Sequence, residues 1–358
     1  MNKKIFANKI IAWYQENKRS LPWRETVDPY KIWLSEVILQ QTRVFQGLPF
    51  YNRFIKTFPK VLDLANATEQ QVLRLWQGLG YYSRARNLHA CAKKVVADYN
   101  GKFPTGYEEL QKLPGIGTYT AAAIASIAFK ESVAVVDGNV FRVLARIFGI
   151  DKDITSPEGK KFFFEKANEL IPKDQPDLFN QALMEFGALH CLPQNPKCED
   201  CIFSKACVAN ARGLHKLLPI KSKKPKVRKR YFYYFVIQHQ KQILMKERGP
   251  KDIWQGLFDF YLIEKKRTRK IINLLKENDL LNSYLPVAQS KPIKHILSHQ
   301  HLMAQFVQLE VRSKAEFTHL AKSFGLIAFS MKETGLLPKP ILIERYLLKS
   351  KLKISYQA

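Results

Sequence analysis

From the amino terminus to about residue 212, apolar positions recur at helical spacing and helix-start signals are frequent. Tyr30 to Thr42 is the clearest amphipathic run: Ile32, Trp33, Glu36, Leu39 and Gln40 fall on one face. Thr105 to Glu108 has the form of a capping box, and Ser156-Pro157-Glu158 starts a helix with proline at its first position. Asp137 closes the apolar run Val133 to Val136 and is placed to cap a helix through Val140, Leu144 and Ile147. Beyond residue 230 the pattern shortens toward alternation. Tyr231 to Ile237 and Gln242 to Lys246 predict a hairpin turning at His239-Gln240. Leu257 to Ile263, Ile293 to Leu297 and Leu302 to Val311 predict further strands, with helices near Arg269 to Glu277 and Lys339 to Lys349. The expected fold is therefore multidomain, an all-α half followed by an α+β half.

Length and charge sharpen this picture. A chain of 358 residues with 46% hydrophobic content suits two packed domains. The expected division is a helical domain at 1–212, a basic linker at 213–230 and an α+β domain at 231–358. Between Lys216 and Arg230 stand eight Lys and Arg residues, two prolines and no acid. That segment could follow a phosphate backbone or serve as a solvated spacer. The formal charge of +27 calls for a polyanionic partner, nucleic acid or an anionic membrane surface. No apolar run is long enough to span a bilayer, and Asn8, Lys9, Gln15 and Glu16 interrupt any leader-like stretch. A cytoplasmic, monomeric protein without membrane attachment is expected.

Three groups of residues carry candidate chemistry. Cys191, Cys198, Cys201 and Cys207 crowd into one stretch, and four thiols so close can share a metal centre. Zinc sites usually use two Cys-x2-Cys pairs and this stretch has one; a disulfide would need an oxidising compartment. His190 is expected to pack rather than ligate, and Cys91 to be a core residue. In Leu113-Pro114-Gly115-Ile116-Gly117, Gly115 and Gly117 allow a tight turn ahead of a helix whose free N–H groups could face a phosphate. Glu36 lies among apolar neighbours, which should raise its pKa and let it hold a proton near neutrality. Helix N–H groups should instead keep Asp137 ionised. A proton donor beside a fixed anion is what cleavage of an N-glycosidic bond requires.

Taken in order, several motifs resemble the MutY-type adenine DNA glycosylases of the helix–hairpin–helix superfamily that includes endonuclease III. They are Glu36-Val37-Ile38-Leu39-Gln40-Gln41-Thr42, Gly78-Leu79-Gly80-Tyr81-Tyr82-Ser83-Arg84-Ala85-Arg86-Asn87-Leu88, the glycine hairpin, Val136-Asp137-Gly138-Asn139-Val140 and the cysteine loop. The resemblance implies a [4Fe–4S] cluster on Cys191, Cys198, Cys201 and Cys207. It implies that Glu36 protonates adenine and that Asp137 stabilises the sugar cation, with Tyr119 and Asn139 assisting. Trp23, Arg24 and Gln181 would line the adenine pocket, and Gln41 and Tyr81 would wedge into the base stack. Tyr119 stands where endonuclease III carries a Schiff-base lysine, so base removal without strand cleavage is implied. The substrate would be double-stranded DNA holding adenine opposite 8-oxoguanine or guanine.

The second half resembles the MutT-like, Nudix-fold domain of the same family. Ser298-His299 matches the loop that reads 8-oxoguanine, with Leu297 where the family usually has Phe. Gly256-Leu257-Phe258-Asp259-Phe260 lacks the spaced glutamates of a working Nudix hydrolase. The rival reading is a non-catalytic nucleic-acid-binding protein. It accounts for charge, linker and hairpin but not for a carboxylate on the apolar face of a helix.

Overall fold

The computed structural model describes residues 2–222 and 227–350. Lys223, Lys224 and Lys226 of the expected linker lie outside the described residues. Two compact units emerge: Met1–Asn66 with Asn87–Lys223, and Ala67–Arg86 with Lys224–Ala358.

The first unit is helical. Helices Lys3–Asn17, Gly138–Phe148, Pro157–Leu170 and Pro176–Leu189 close around one aromatic-rich core that holds Phe6, Tyr14, Phe163, Phe179, Phe186 and Phe203. The helix expected at Tyr30 to Thr42 is Pro29–Leu39, started by Asp28, whose side chain accepts from the Tyr30 N–H. It stops early because Gln40 leaves helical geometry and Gln41 turns left-handed at φ 55°. Ser156 caps the helix Pro157–Leu170 as its sequence suggests. The expected capping box at Thr105 is absent. Gly106 occupies the cap of Tyr107–Leu110 without a side-chain bond, and the first unit's hairpin follows.

That hairpin joins Tyr107–Leu110 to Thr118–Phe129, which packs on Pro29–Leu39. Gly115 turns it at φ 74°, and a Cβ there would stand 2.6 Å from Cβ of Asn87. Both the left-handed backbone and the close approach restrict this position to glycine. After Thr118–Phe129 the chain runs extended through Val133–Val135, held by a buried asparagine. Asn180 accepts from the Val135 N–H at 2.9 Å and donates to Val133 O and Ser126 Oγ, each at 2.9 Å. This segment leads directly into Asp137.

The second unit is an eight-stranded mixed sheet: β1 Arg228–His239, β2 Gln242–Glu247, β3 Phe258–Asp259, β4 Tyr261–Lys265, β5 Ala288–Gln289, β6 Ile293–Ile296, β7 Gln300–Glu310 and β8 Ile327–Ser330. β1 and β2 form the expected hairpin, turned by Gln240 at φ 51°. β1 and β7 lie parallel from Arg228↔Gln300 to Gln238↔Glu310, and the other pairings are antiparallel. Helices Ile271–Lys276 and Lys314–Phe324 cover one face through Leu274, Leu275, Phe317 and Leu320.

Two details depart from the sequence pattern. β1 begins inside the expected linker, because Arg230 is buried and pairs with both Asp252 and Glu264. The expected strand Leu257 to Ile263 divides at Phe260 into β3 and β4.

Asn180→Ala should leave buried N–H and C=O groups of Val133–Val135 unpaired, at roughly 1–3 kcal/mol for each orphaned group. Denaturant unfolding should show a lower midpoint with an unchanged slope. An unaltered midpoint would mean that this amide does not hold the segment.

Candidate active site

Glu36 sits in the last turns of Pro29–Leu39 and is 8% exposed. Every residue from Ile32 to Ile38 is buried, so the helix is enclosed on all sides there and not amphipathic as its spacing suggests. Tyr119, at the start of Thr118–Phe129, donates its hydroxyl to Glu36 Oε2 at 2.6 Å and also approaches Met184 Sδ at 3.5 Å. Burial pushes the Glu36 carboxyl up to about 7. The Tyr119 hydrogen bond and Arg24 pull it down, and the charge of Asp137 pushes it further up. Burial and the neighbouring carboxylates hold the Tyr119 phenol well above its ordinary value.

Asp137 caps Gly138–Phe148 as expected. Its Oδ1 accepts from the N–H groups of Asn139 at 2.9 Å and Val140 at 2.8 Å, and Oδ2 accepts from Asn139 Nδ2 at 2.8 Å. Burial nevertheless outweighs these bonds and the nearby Arg142, so its pKa lies above the ordinary carboxylate value. The cap moderates the cost of the buried charge without cancelling it.

A cleft of about 190 Å³ brings together Trp23, Arg24, Glu36, Tyr119, Asp137, Asn139, Gln181 and Met184. Seven of these were singled out in the sequence. It is smaller than the pockets that hold drug-sized ligands, and its scale suits one planar base. One wall is fixed by an ion pair that the sequence reading missed. Arg24 grips both oxygens of Glu185 at 2.8 Å, and Arg19 binds the same carboxylate. Burial alone would raise the Glu185 carboxyl, but the two guanidinium groups bring it down to about 2. The available signal was helical spacing: Gln181, Met184, Glu185 and Ala188 recur along one face of Pro176–Leu189 and all line the cleft.

Two further arginines escaped the sequence reading. Arg142 donates to Asn139 Oδ1 at 3.0 Å, Gly187 O at 2.7 Å and Cys191 O at 2.8 Å. Arg146 donates to the carbonyls of Leu192, Pro193, His215 and Leu218, with Nη1 3.6 Å from Cys191 Sγ. These bonds shape the loop that carries the four cysteines. His190 stacks on Phe186 and Cys91 is buried, both as expected.

In the second unit Tyr81 is left-handed at φ 48° and 42% exposed, and its hydroxyl donates to Ser298 Oγ at 2.7 Å. Ser298 Oγ lies 3.2 Å from His299 Nδ1. Tyr81, Arg86, Trp254, Leu297, Ser298 and His299 line a cleft of about 430 Å³. In the first unit Gln41 is exposed, and Gly117 is the cap of Thr118–Phe129 with no side chain to shield its N–H groups.

Residues 34–173 match the family described as HhH-GPD superfamily base excision DNA repair protein, and residues 233–349 match the NUDIX domain family. The chain is 34% identical to the adenine DNA glycosylase of Buchnera aphidicola subsp. Baizongia pistaciae, over 90% of this chain and 91% of that one. This chain belongs to the adenine DNA glycosylase family. The Rattus norvegicus adenine DNA glycosylase is 44% identical over 58% of this chain and 42% of its own. Among solved structures, a thermostable thymine-DNA glycosylase superposes with a TM-score of 0.54 at 31% identity, covering 59% of this chain and 97% of that one. A trapped endonuclease III–DNA covalent intermediate gives 0.52 at 21% identity, over 60% of this chain and 99% of that chain, and supports the fold alone. The helical HhH-GPD core followed by a Nudix-like domain is thus the architecture of an adenine DNA glycosylase.

For this glycosylase the raised Glu36 pKa has a thermodynamic sign. The folded state binds the proton more tightly than an ordinary carboxyl of 4.5 does, so stability falls as pH rises from about 4.5 to about 7. Above that window the full cost of the buried charge is present. Glu36→Gln should therefore melt higher than wild type at pH 8, and the gap should close toward pH 5. A gap independent of pH would contradict the raised pKa.

Proposed function

We propose that this chain removes adenine mispaired with 8-oxoguanine, and with guanine, from double-stranded DNA by hydrolysing the N-glycosidic bond. The observation that carries this reading is a buried carboxyl, pushed up to about 7, beside a capped second carboxylate in a base-sized cleft. The adenine must leave the stack to reach it. Glu36, about half protonated near neutrality with its pKa raised to about 7, donates its proton to the leaving base. Asp137 then faces the cationic sugar, where low dielectric strengthens the attraction. Asn139 keeps Asp137 oriented, and Tyr119 holds the Glu36 carboxyl by its hydrogen bond. A phenol cannot form an imine with the sugar, so strand cleavage is not part of the reaction.

Recognition of the opposing base is assigned to Ser298 and His299, and Gln41 and Tyr81 are the residues that enter the stack. The Gly115–Gly117 hairpin, with its free helix N–H groups, suits a backbone phosphate. The enzyme acts as a monomer inside the cell. Cys191, Cys198, Cys201 and Cys207 would hold a [4Fe–4S] cluster. The donor set fits: all four are free thiols, partly buried, and the carboxy-terminal three feel the charge of Cys191. Arg146 and the Phe203 N–H, 3.4 Å from Cys201 Sγ, offset negative sulfur charge. Among the described residues no group of three or more His, Cys, Asp or Glu is gathered for a metal ion, so the fit rests on donor chemistry. When bound, the cluster serves to brace the loop and dock DNA.

Single-turnover assays on duplexes with adenine opposite 8-oxoguanine or guanine test the reading. Wild type should excise adenine from both, and strands should break only after alkali. Glu36→Gln should bind the duplex yet lose about 10²–10⁴-fold in rate, the usual worth of a general acid. A Glu36→Gln protein at near wild-type rate would remove Glu36 from the mechanism.

Metal analysis of the purified protein should give about four irons per chain. Stoichiometric zinc without iron would exclude the cluster.

A further inference from the structure

We infer that Tyr14 is a positioning residue: its hydroxyl fixes which end of the Gln181 amide meets the base, and thereby favours adenine over 6-oxopurines. Tyr14's role presupposes the adenine-excising cleft proposed above.

A glutamine amide is nearly symmetric in shape but opposite in polarity at its two ends, one accepting and one donating. An unrestrained amide could flip to suit either partner. Gln181, in Pro176–Leu189, is largely buried where it lines the cleft with Glu36 and Asp137. Tyr14, in Lys3–Asn17, is buried too, and its hydroxyl donates to Gln181 Oε1 at 3.1 Å. The phenol's single proton decides the orientation. With the amide flipped, Nε2 would meet the hydroxyl and the phenolic hydrogen would lose its acceptor at a buried position. Burial also raises the phenol's pKa, which keeps that proton in place.

The tyrosine is itself held. The Arg24 guanidinium lies 5.5 Å from its ring centroid and the Lys18 ammonium 5.9 Å. Arg24 is in turn locked to Glu185. With Oε1 engaged by Tyr14, the Nε2 hydrogens are the polar end of Gln181 left for a base. Adenine presents a lone pair at N1. Guanine and hypoxanthine present an N–H there, and two donors face to face leave both unpaired. The orientation of one amide therefore becomes a selection for the base to be removed.

The test is the ratio of single-turnover excision rates for adenine and hypoxanthine placed opposite 8-oxoguanine in otherwise identical duplexes. Tyr14→Phe keeps the ring and frees the amide. It should narrow the ratio by roughly 2- to 10-fold, the span allowed by one neutral hydrogen bond. Gln181→Met should narrow the ratio at least as far, and Tyr14→Phe should add nothing in that background. Gln181→Glu keeps the acceptor that Tyr14 uses and replaces only the donor end, so it should narrow the ratio with Tyr14 intact. Should Tyr14→Phe leave the ratio unchanged while Gln181→Met narrows it, the positioning role is lost. An unchanged ratio in Gln181→Glu would show that Nε2 is not the end that meets the base. Wild type that excises neither base would overturn the glycosylase reading itself, independently of Tyr14.

Discussion

The first unit depends on keeping two carboxyl groups out of water at one place. Glu36 and Asp137 come from separate helices; burial raises the cost of ionising both, and the charge of Asp137 adds to it at Glu36. Neither could remain there unsupported, because an unpaired buried charge is expensive. Support comes from different sources. Tyr119 donates to Glu36, and a helix terminus with the Asn139 side chain donates to Asp137. The imbalance between a single hydroxyl donor and a threefold cap is what gives the two groups different work.

That imbalance is maintained by structure further out. The extended segment Val133–Val135 must deliver Asp137 at the right height, and Asn180 fixes its path by bonding both its N–H and C=O edges. Asn139 must keep its amide turned toward Asp137, and Arg142 holds it from the other side. Glu185, gripped by Arg24 and Arg19, fixes one wall of the cleft. A rigid wall and preset dipoles lower the reorganisation needed when charge develops in a reaction.

Much of this was legible in the chain. The apolar neighbours Ile32, Trp33 and Leu39 pointed to burial of Glu36, but the helix is enclosed all round from Ile32 to Ile38, which tertiary packing and not helical period decides. Asp137 was legible as a cap because an aspartate before glycine ends an apolar run. What remained hidden was long-range pairing. Glu185 meets Arg19 and Arg24 across more than 160 positions, and Arg142 meets Cys191 across 49, where no local period points. The linker boundary was misplaced for the same reason. Arg230 reads as one more basic residue until Asp252 and Glu264 surround it. The failed capping box at Thr105 has the opposite cause: a correct local pattern lost to Gly106, which the turn before Tyr107 uses as cap.

Arg146 has a consequence for how the cysteine stretch acquires its shape. One buried guanidinium on a packed helix reaches carbonyls in two segments, at Leu192 and Pro193 and again at His215 and Leu218. Those segments flank Cys198, Cys201 and Cys207 in the chain, and Cys191 Sγ itself lies 3.6 Å from Arg146 Nη1. The stretch is thus drawn together like the mouth of a purse, by a cord anchored in the helical scaffold. Its entrance and exit are set by protein alone, so an incoming inorganic group would meet a loop whose backbone path is already tied to the helical scaffold.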